Sequence, residues 1–225
     1  MGIELTSTMA LAAGAAWASG INLYAALLMI GVLGSTGSLA LPSDLEILTH
    51  PMVIAAAGFM YCVEFFADKT PGVDTAWDAL HTFIRIPAGA VLAAAAVGEL
   101  DPAIQLAAFI VGGTLAAGSH AAKAGSRAVI NTSPEPLTNW TASVGEDVMV
   151  VAGLWTAFNH PLVFFALLLV FVALVAWLLP KLLRALRRAY QRVRAFFGAA
   201  SAGSAGACPT PALPSEPLGL EDHRP

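Results

Sequence analysis

Long apolar stretches alternate along this chain with short polar breaks that contain proline or glycine. A membrane-spanning helix needs about 20 mostly apolar residues. Proline removes a backbone donor and biases the preceding residue toward extended geometry, so LPSD, THP, LDP, SPEP and NHP predict the ends of helices. The pattern predicts an all-α polytopic membrane protein, a six-helix transmembrane bundle. The predicted segments are Thr8–Leu33, Pro51–Ala67, Thr75–Gly98, Ala103–Ala124, Asn139–Phe158 and Pro161–Leu179.

The sequence after the sixth segment changes character twice. KLLRALRRAYQRVRAFF (181–197) places apolar residues at helical spacing among basic ones, which predicts an interfacial helix on anionic lipid headgroups. Residues 199–225 are small, proline-rich and aperiodic, which predicts a disordered cytoplasmic tail. The predicted domains are therefore a six-span membrane domain with this basic helix, residues 1–198, and the tail, residues 199–225.

Composition agrees with a membrane location. Hydrophobic residues make up 57% of the chain and charged residues 12%, against about 25% charged in soluble domains. In a six-span arrangement every Lys and Arg falls on one side, while SLALPSDLEILTH and ELDP on the other side carry acids and one His. The positive-inside rule then predicts cytoplasmic N- and C-termini. Because the basic residues mark orientation, nucleic acid is not an expected partner.

Polar side chains form stripes on the second to fifth segments. Positions three, four and seven apart share a helix face. Ionisable groups at membrane depth are costly when they face lipid, so we expect these stripes to face inward around a polar pocket open to the cytoplasm. The candidate ion- or substrate-binding residues are Asn22, Glu64, Asp68, Lys69, Asp74, Asp78, His81, Arg85, His120, Lys123, Arg127, Asn139, Glu146 and Asp147. Asp74 and Asn139 are also placed to cap the starts of their helices.

Two features leave alternatives open. ASGIN (18–22) interrupts the first segment with Ser19, Gly20 and Asn22. These residues predict either a small-residue packing surface or a broken helix that lines a pathway. The second and third segments also resemble the fourth and fifth, since Pro71 matches Pro136 and Asp74 matches Asn139. This match suggests a helical-hairpin repeat.

The sequence carries few signals of enzymes or cofactors. It contains no P-loop, GxSxG, HExxH or haem motif. Cys62 and Cys208 form no metal-binding spacing, and we expect no disulfide between them. No cofactor is therefore expected, no catalytic residue is assigned, and the sequence leaves a metal undetermined.

Several stretches together carry a resemblance to a known family: GINLYA, EFFADKTPGVDTAWD, HAAKAGSR and NTSPEPLTNW followed by ASVGED. In these stretches the chain resembles a bacterial membrane-protein family known as domain of unknown function 4126, over about residues 5 to 180. The resemblance implies an integral protein of a bacterial inner membrane and implies no activity.

Three functions remain open at this point. A small transporter or channel-like protein would use Glu64 and Glu146 as proton or cation carriers and the basic residues for an anionic group. A membrane enzyme acting on a lipid phosphate would hold Mg²⁺ with Asp68, Asp74 and Asp78. A scaffold would use the same charges as a structural network that fixes helix register. The expected partners are the bilayer, anionic lipids at 181–197, an unknown small ion or solute, and other copies of the chain.

Overall fold

The computed structural model describes residues 2–70, 73–130 and 136–205, and every regular element in these ranges is helical. Six α-helices and one 3-10 helix, η1, follow one another. Their bounds are α1 Gly2–Ser35, η1 Ser43–Thr49, α2 Pro51–Ala67, α3 Val73–Ala96, α4 Pro102–Ile130, α5 Pro136–Asn159 and α6 Pro161–Ala205. Residues 2–183 of this described part form one compact unit.

Four of these helices are long and apolar enough to cross a membrane: α1, α3, α4 and α6. A fifth is added if η1 and α2, which meet at an angle of 67°, count as one bent span. The predicted all-helical fold is thus confirmed, and the length and composition of these helices are compatible with a membrane protein. The count of six spans and the hairpin repeat are not confirmed. Helix α5, whose first half carries Asn139, Ser143, Glu146 and Asp147, is not among the candidate spans.

Proline and short polar turns set the helix ends, as the sequence predicts. Pro51, Pro102, Pro136 and Pro161 each begin a helix, where a missing backbone donor costs nothing. The predicted caps are different, because α3 begins at Val73 and α5 at Pro136. Asp74 and Asn139 therefore lie inside the first turns, and neither residue is the N-cap.

Helix α1 lies at the centre and packs closely on α3 and α4 through small residues. A Cβ atom at Gly20 would meet the Ser119 hydroxyl and the Ala116 carbonyl, and one at Gly89 would meet Ala116 and Ser19. Close approach of helix backbones through small residues is typical of membrane bundles. The packing surface expected around ASGIN is therefore present, with Ser19 and Ala18 fully buried.

Helix α1 is also broken at Asn22, which has extended backbone angles (φ −145°, ψ 97°). The Asn22 side-chain oxygen accepts a hydrogen bond of 2.9 Å from the Ala25 N–H, three residues later. This is the geometry of an N-cap. Residues 2–21 and 23–35 are therefore two arms, here called the first and second arm of α1. The small-residue packing surface and the break are therefore both present, and a pathway along the break stays a prediction.

The two arms run in opposite directions. At the start of the first arm, Met9 lines the same cavity as Ala93 and Ile104, beside the α3–α4 connection. At the end of the second arm, Gly31 and Gly34 contact η1, and the Ser43 N–H of η1 donates to Glu99 Oε1 (3.3 Å) in that same connection. Both ends of α1 therefore lie at one end of the bundle, and the break at Asn22 lies deeper inside.

Helix α6 contacts the other helices through few side chains in the described unit. Phe164 and Phe171 pack edge-on against Trp17 of α1, while most of the span from Pro161 to Lys181 is exposed.

The predicted division at residue 198 remains a prediction, because α6 continues to Ala205 and residues 206–225 lie outside the described part.

Candidate functional site

Arg85 on α3 lies at the centre of a buried group of charges and is completely shielded from solvent. Its Nη2 donates to Glu64 Oε1 of α2 (2.5 Å), and its Nη1 donates to Asp78 Oδ1, two turns earlier on α3 (2.8 Å). Glu64 is also completely buried. The spacing of Asp78 and Arg85, seven residues apart, places them on one face of α3, as the sequence predicts.

Lys123 on α4 joins this pair to two further carboxylates. Its Nζ lies 2.7 Å from Asp68 Oδ2, 3.5 Å from Glu64 Oε1, 3.5 Å from Glu146 Oε2 and 3.8 Å from Asp78 Oδ1. Four carboxylates thus surround one ammonium group: two come from α2 and its C-terminal cap, one from α3 and one from α5. A buried ammonium needs such partners, because burial alone removes the hydration that stabilises its charge.

Arg127, one turn further along α4, continues the group toward α5. Its Nε and Nη2 donate to the two oxygens of Glu146 (3.1 and 2.8 Å), a paired geometry that suits the planar guanidinium. Its Nη1 donates to Asn139 Oδ1 (2.5 Å) and to the Asp68 carbonyl (3.1 Å). Asn139 therefore serves the arginine of α4 instead of capping α5.

Two histidines line the side of the group that faces α1. His81 stacks on Trp77 and lies 3.2 Å from the Tyr24 hydroxyl. His120 lies 2.7 Å from the Thr82 hydroxyl, 3.4 Å from Arg85 Nη1, and close to the Gly20 carbonyl. Both rings therefore connect the charged group with the residues next to the break in α1.

Asn22 and Asp147 connect the break itself to α5. The Asn22 Nδ2 donates to Asp147 Oδ1 (2.9 Å), and the Tyr61 hydroxyl of α2 lies within hydrogen-bonding reach of the same carboxylate. Asp147 also lines a groove of about 590 Å³ whose other walls are mostly apolar, with Tyr61 and Phe65 of α2 on one side and Trp155 of α5 on the other. The groove gives this carboxylate partial exposure between α2 and α5.

Lys69 lies at the margin of the group, in the turn after α2. Its Nζ donates to Ser143 Oγ (3.2 Å) and to the Phe65 carbonyl (3.3 Å), and it lies over the Phe65 ring. Burial lowers the pKa of Lys69, while Asp147 and then Asp68 oppose this effect. Asp74, at the start of α3, is completely buried.

Some buried polar atoms in this group lack a hydrogen-bond partner within the part of the chain that the structure describes. They include one oxygen from each of three carboxylates: Glu64 Oε2, Asp68 Oδ1 and Asp78 Oδ2. Each of these carboxylates uses its other oxygen to bind Arg85 or Lys123. A buried acceptor without a partner carries a desolvation cost of about 1–3 kcal/mol, more for a charged group, so these three oxygens are where a further partner would be stabilised.

The structure thus brings together nearly all residues that the sequence singles out, and their binding of an ion or solute stays a prediction. The group around Arg85, Lys123 and Arg127 takes in most of the acids. Asn22, His81, His120 and Asp147 form its edge toward α1, and Lys69 forms its edge toward the α2–α3 turn. The magnesium arrangement is not formed: Asp68 and Asp78 both lie against Lys123, and within the described residues no three His, Cys, Asp or Glu side chains converge as metal ligands.

Three residues of the site were missed by the sequence analysis. Tyr24 and Tyr61 contact His81 and Asp147, and Thr82 contacts His120. Tyr24 lies two residues after Asn22, and Tyr61 lies three residues before Glu64, so each shares a helix segment with a candidate residue. A search for hydroxyls within one turn of any candidate residue would have found all three.

A family of unknown function matches most of the chain. Residues 9–181 match the family described as domain of unknown function (DUF4126). The chain belongs to this family. The match covers α1 to α6 through residue 181 and therefore includes every candidate residue of the DUF4126 site. No significant match was found to a curated protein or to a solved structure.

Proposed function

We propose that this DUF4126 protein is a small transporter or channel-like membrane protein that carries a proton or a monovalent cation through the buried group of charges. The observation that supports it best is the set of three unpartnered carboxylate oxygens on Glu64, Asp68 and Asp78. A proton on any one of these carboxylates, or a cation beside it, would give its oxygen the partner that it lacks. Ionisable groups at membrane depth often mark ion pathways and proton relays.

The charge balance favours a positive cargo over an anionic one. In the described ion pairs, four carboxylates (Glu64, Asp68, Asp78 and Glu146) face three basic side chains (Arg85, Lys123 and Arg127). One negative charge remains uncompensated among these seven residues, and an uncompensated buried charge is costly. Each basic side chain already binds at least one carboxylate, and of their nitrogens only Arg85 Nε is a buried donor without a partner among the described residues, against three such carboxylate oxygens.

A structural network is the second candidate, and one observation favours it. Arg127 makes a paired contact with Glu146 and also binds Asn139 and the Asp68 carbonyl, so that α2, α4 and α5 are tied at one point. Such a tie fixes helix register whether or not an ion moves. A scaffold function would need this tie and would have no use for the unpartnered oxygens.

The membrane assignment is part of the same proposal. Lys69, Lys123 and Arg127 lie at the end of the bundle where α2 and α4 finish, and by the positive-inside rule this supports a cytoplasmic location for that end. A bacterial inner membrane and binding of anionic lipids at 181–197 remain predictions from the sequence.

The test is a flux measurement on purified protein in liposomes. Gradients of H⁺, Na⁺ and K⁺ are imposed in turn and followed with a pH-sensitive dye and ion indicators. We expect the wild-type protein to dissipate at least one gradient and Glu64→Gln to lose most of that activity. Glu46→Gln is the matched control, because Glu46 is an exposed acid on η1 far from the group.

Two results would reject transport. One is a folded wild-type protein that leaves all three gradients intact. The other is an equal loss of flux in Glu64→Gln and Glu46→Gln. The scaffold reading is favoured if Glu64→Gln changes thermal stability while no gradient responds to any variant.

A further inference from the structure

The two arms of α1 can be aligned with neighbouring helices of known direction. The first arm runs alongside α4 in the same direction, since Met9 lies near Ile104 and Gly20 lies against Ser119. The second arm runs against α2, since Leu28 lies near Gly58 and Gly31 lies near Ile54. The two arms are antiparallel if α2 and α4 run in the same direction.

Helices α2 and α4 do run in the same direction. Both begin near the α3–α4 connection, α4 directly after it and α2 after η1, whose Asp44 lies against Gly98. Both end at the charged group, where Asp68 after α2 binds Lys123 near the end of α4. The chain therefore reverses at Asn22.

We infer that α1 is a re-entrant hairpin. It enters and leaves the membrane on the face that carries the α3–α4 connection, and the start of α1 lies across the membrane from Lys69, Lys123 and Arg127. The first arm is about 30 Å long and the second about 20 Å. The tip of the hairpin, which is the break at Asn22, therefore reaches well into a hydrocarbon core of about 30 Å.

The polar neighbours of the tip explain why the helix can break there. A break frees backbone donors and acceptors, which are tolerated at membrane depth only beside other protein polar groups or a water-filled cavity. The Ala25 N–H is satisfied by Asn22, the Gly20 carbonyl faces His120, and Asn22 itself is fixed by Asp147. The break lies where the interior of the bundle is polar.

The distribution of basic residues supports the same topology. The first Lys or Arg of the sequence is Lys69, so neither the first residues nor the connection from Thr36 to His50 carries one. In a re-entrant arrangement these two basic-free stretches share one face, opposite to the basic residues, as the positive-inside rule expects. In the six-span arrangement the first residues would share the face of Lys69.

The hairpin does not depend on transport. If the charged group exchanges a cation with the opposite face of the membrane, as proposed above, then the hairpin is the barrier between the charged group and that face. This barrier role rests on the proposed function. The topology itself is a separate statement and can fail by itself.

The test compares the accessibility of single cysteines from the two faces of the membrane. Cys62 and Cys208 are replaced by Ser in the full chain. Single cysteines are placed in a short tag ahead of residue 2, at Ser38, at Asp101 and at Thr70, the last three being exposed positions outside the α-helices. A membrane-impermeant maleimide is applied to right-side-out and inside-out vesicles.

We expect the tag cysteine, Ser38→Cys and Asp101→Cys to react from one face and Thr70→Cys from the other. Labelling of the tag from the face of Thr70→Cys would overturn the inference. As a second measurement, Leu28→Cys with Gly58→Cys should be bridged by a short bis-maleimide, because the Leu28 side chain lies 3.7 Å from a Cβ atom at Gly58, and the bridge protects both thiols from a maleimide–PEG mass tag. Full tagging of both thiols in the folded double variant would contradict the pairing of the second arm with α2.

Discussion

The Asn22 side-chain amide donates a 2.9 Å hydrogen bond to Asp147 Oδ1 and so joins the break in α1 directly to α5. The oxygen of the same amide accepts from the Ala25 N–H and begins the second arm. One asparagine therefore both starts a helix and attaches that start to a neighbouring helix. Few side chains can do both, because the task needs a donor and an acceptor on a short stem.

Substitution of Asn22 should separate these two roles. Asn22→Ala removes both hydrogen bonds and should lower the free energy of unfolding by about 1–3 kcal/mol, the sum expected for a lost cap and a lost buried hydrogen bond. Asn22→Ser keeps an oxygen that can cap and loses the bond to Asp147, so its loss should be smaller. The measurement is thermal unfolding in detergent, in which the fraction of protein that remains monodisperse is recorded at each temperature. Equal loss in the Ala and Ser variants would show that the cap contributes nothing.

Removal of Arg85 should be far more damaging than neutralisation of its partner. Arg85→Met leaves Glu64 and Asp78 buried without their cation, and breaking a buried pair in this way costs about 3–5 kcal/mol. Glu64→Gln leaves Arg85 paired with Asp78 and reduces the excess of negative charge, so its effect on stability should be much smaller. Both are measured as shifts in the thermal unfolding midpoint.

Lys181→Met is the control for Arg85→Met, because Lys181 is an exposed cation at the end of the α6 span. The variant Arg85→Met with Glu64→Gln should recover part of the lost stability, since two residues in contact do not contribute independently. If Arg85→Met and Lys181→Met were equally stable, the charged group would not be a buried network.

Stability should depend on pH through Lys69. Burial lowers its pKa in the folded protein below the ordinary value of 10.5, whereas the unfolded chain keeps that value. Between these two pKa values the unfolded state binds more protons than the folded state, so stability from this group rises as pH rises across that window. Lys69→Met should remove this part of the slope.

The measurement compares unfolding midpoints of the two proteins at pH steps up to about 10.5. The unfolding midpoint of the wild type should rise relative to that of Lys69→Met as pH rises. Lys181→Met, which changes an exposed amine, should keep the wild-type slope. A constant difference between wild type and Lys69→Met at every pH would mean that Lys69 titrates at its ordinary value in the folded protein.

The charged stripes were predictable because helical spacing alone decides which side chains share a face. Asp78 with Arg85, and His120 with Lys123 and Arg127, lie on common faces as the spacing predicts. The partners across helices were not predictable, since Lys123 could have met any acid of the opposing stripes. Its position among four carboxylates depends on how α2, α3 and α5 are rotated and at what depth they pack.

The path of α1 was also beyond the sequence, for a physical reason. Apolar content shows that a segment prefers the membrane, and it does not show on which side the segment leaves. ASGIN contains the residues for close packing and for a break, and only the contacts of Met9, Gly31 and Gly34 reveal that the chain turns back. The side of the membrane assigned to the first residues depends entirely on this turn.

The close contact between the first arm and α4 gives a last prediction with a matched control. A methyl group at Gly20 would meet the Ser119 hydroxyl and the backbone carbonyl of Ala116, and a backbone atom cannot move aside as a flexible side chain can. Gly20→Ala should therefore force the two helices apart and cost about 1–3 kcal/mol, the usual range for overpacking.

Gly118→Ala is the control, because a Cβ atom at this position of α4 meets no atom within 4 Å. Inside a helix alanine is favoured over glycine by about 0.5–1 kcal/mol, so this variant should be as stable as the wild type or slightly more stable. Unfolding midpoints of the two variants are compared in the same detergent. If Gly20→Ala were tolerated as well as Gly118→Ala, the first arm would not lie against α4 at this depth, and the hairpin would lose the contact that fixes its tip beside His120.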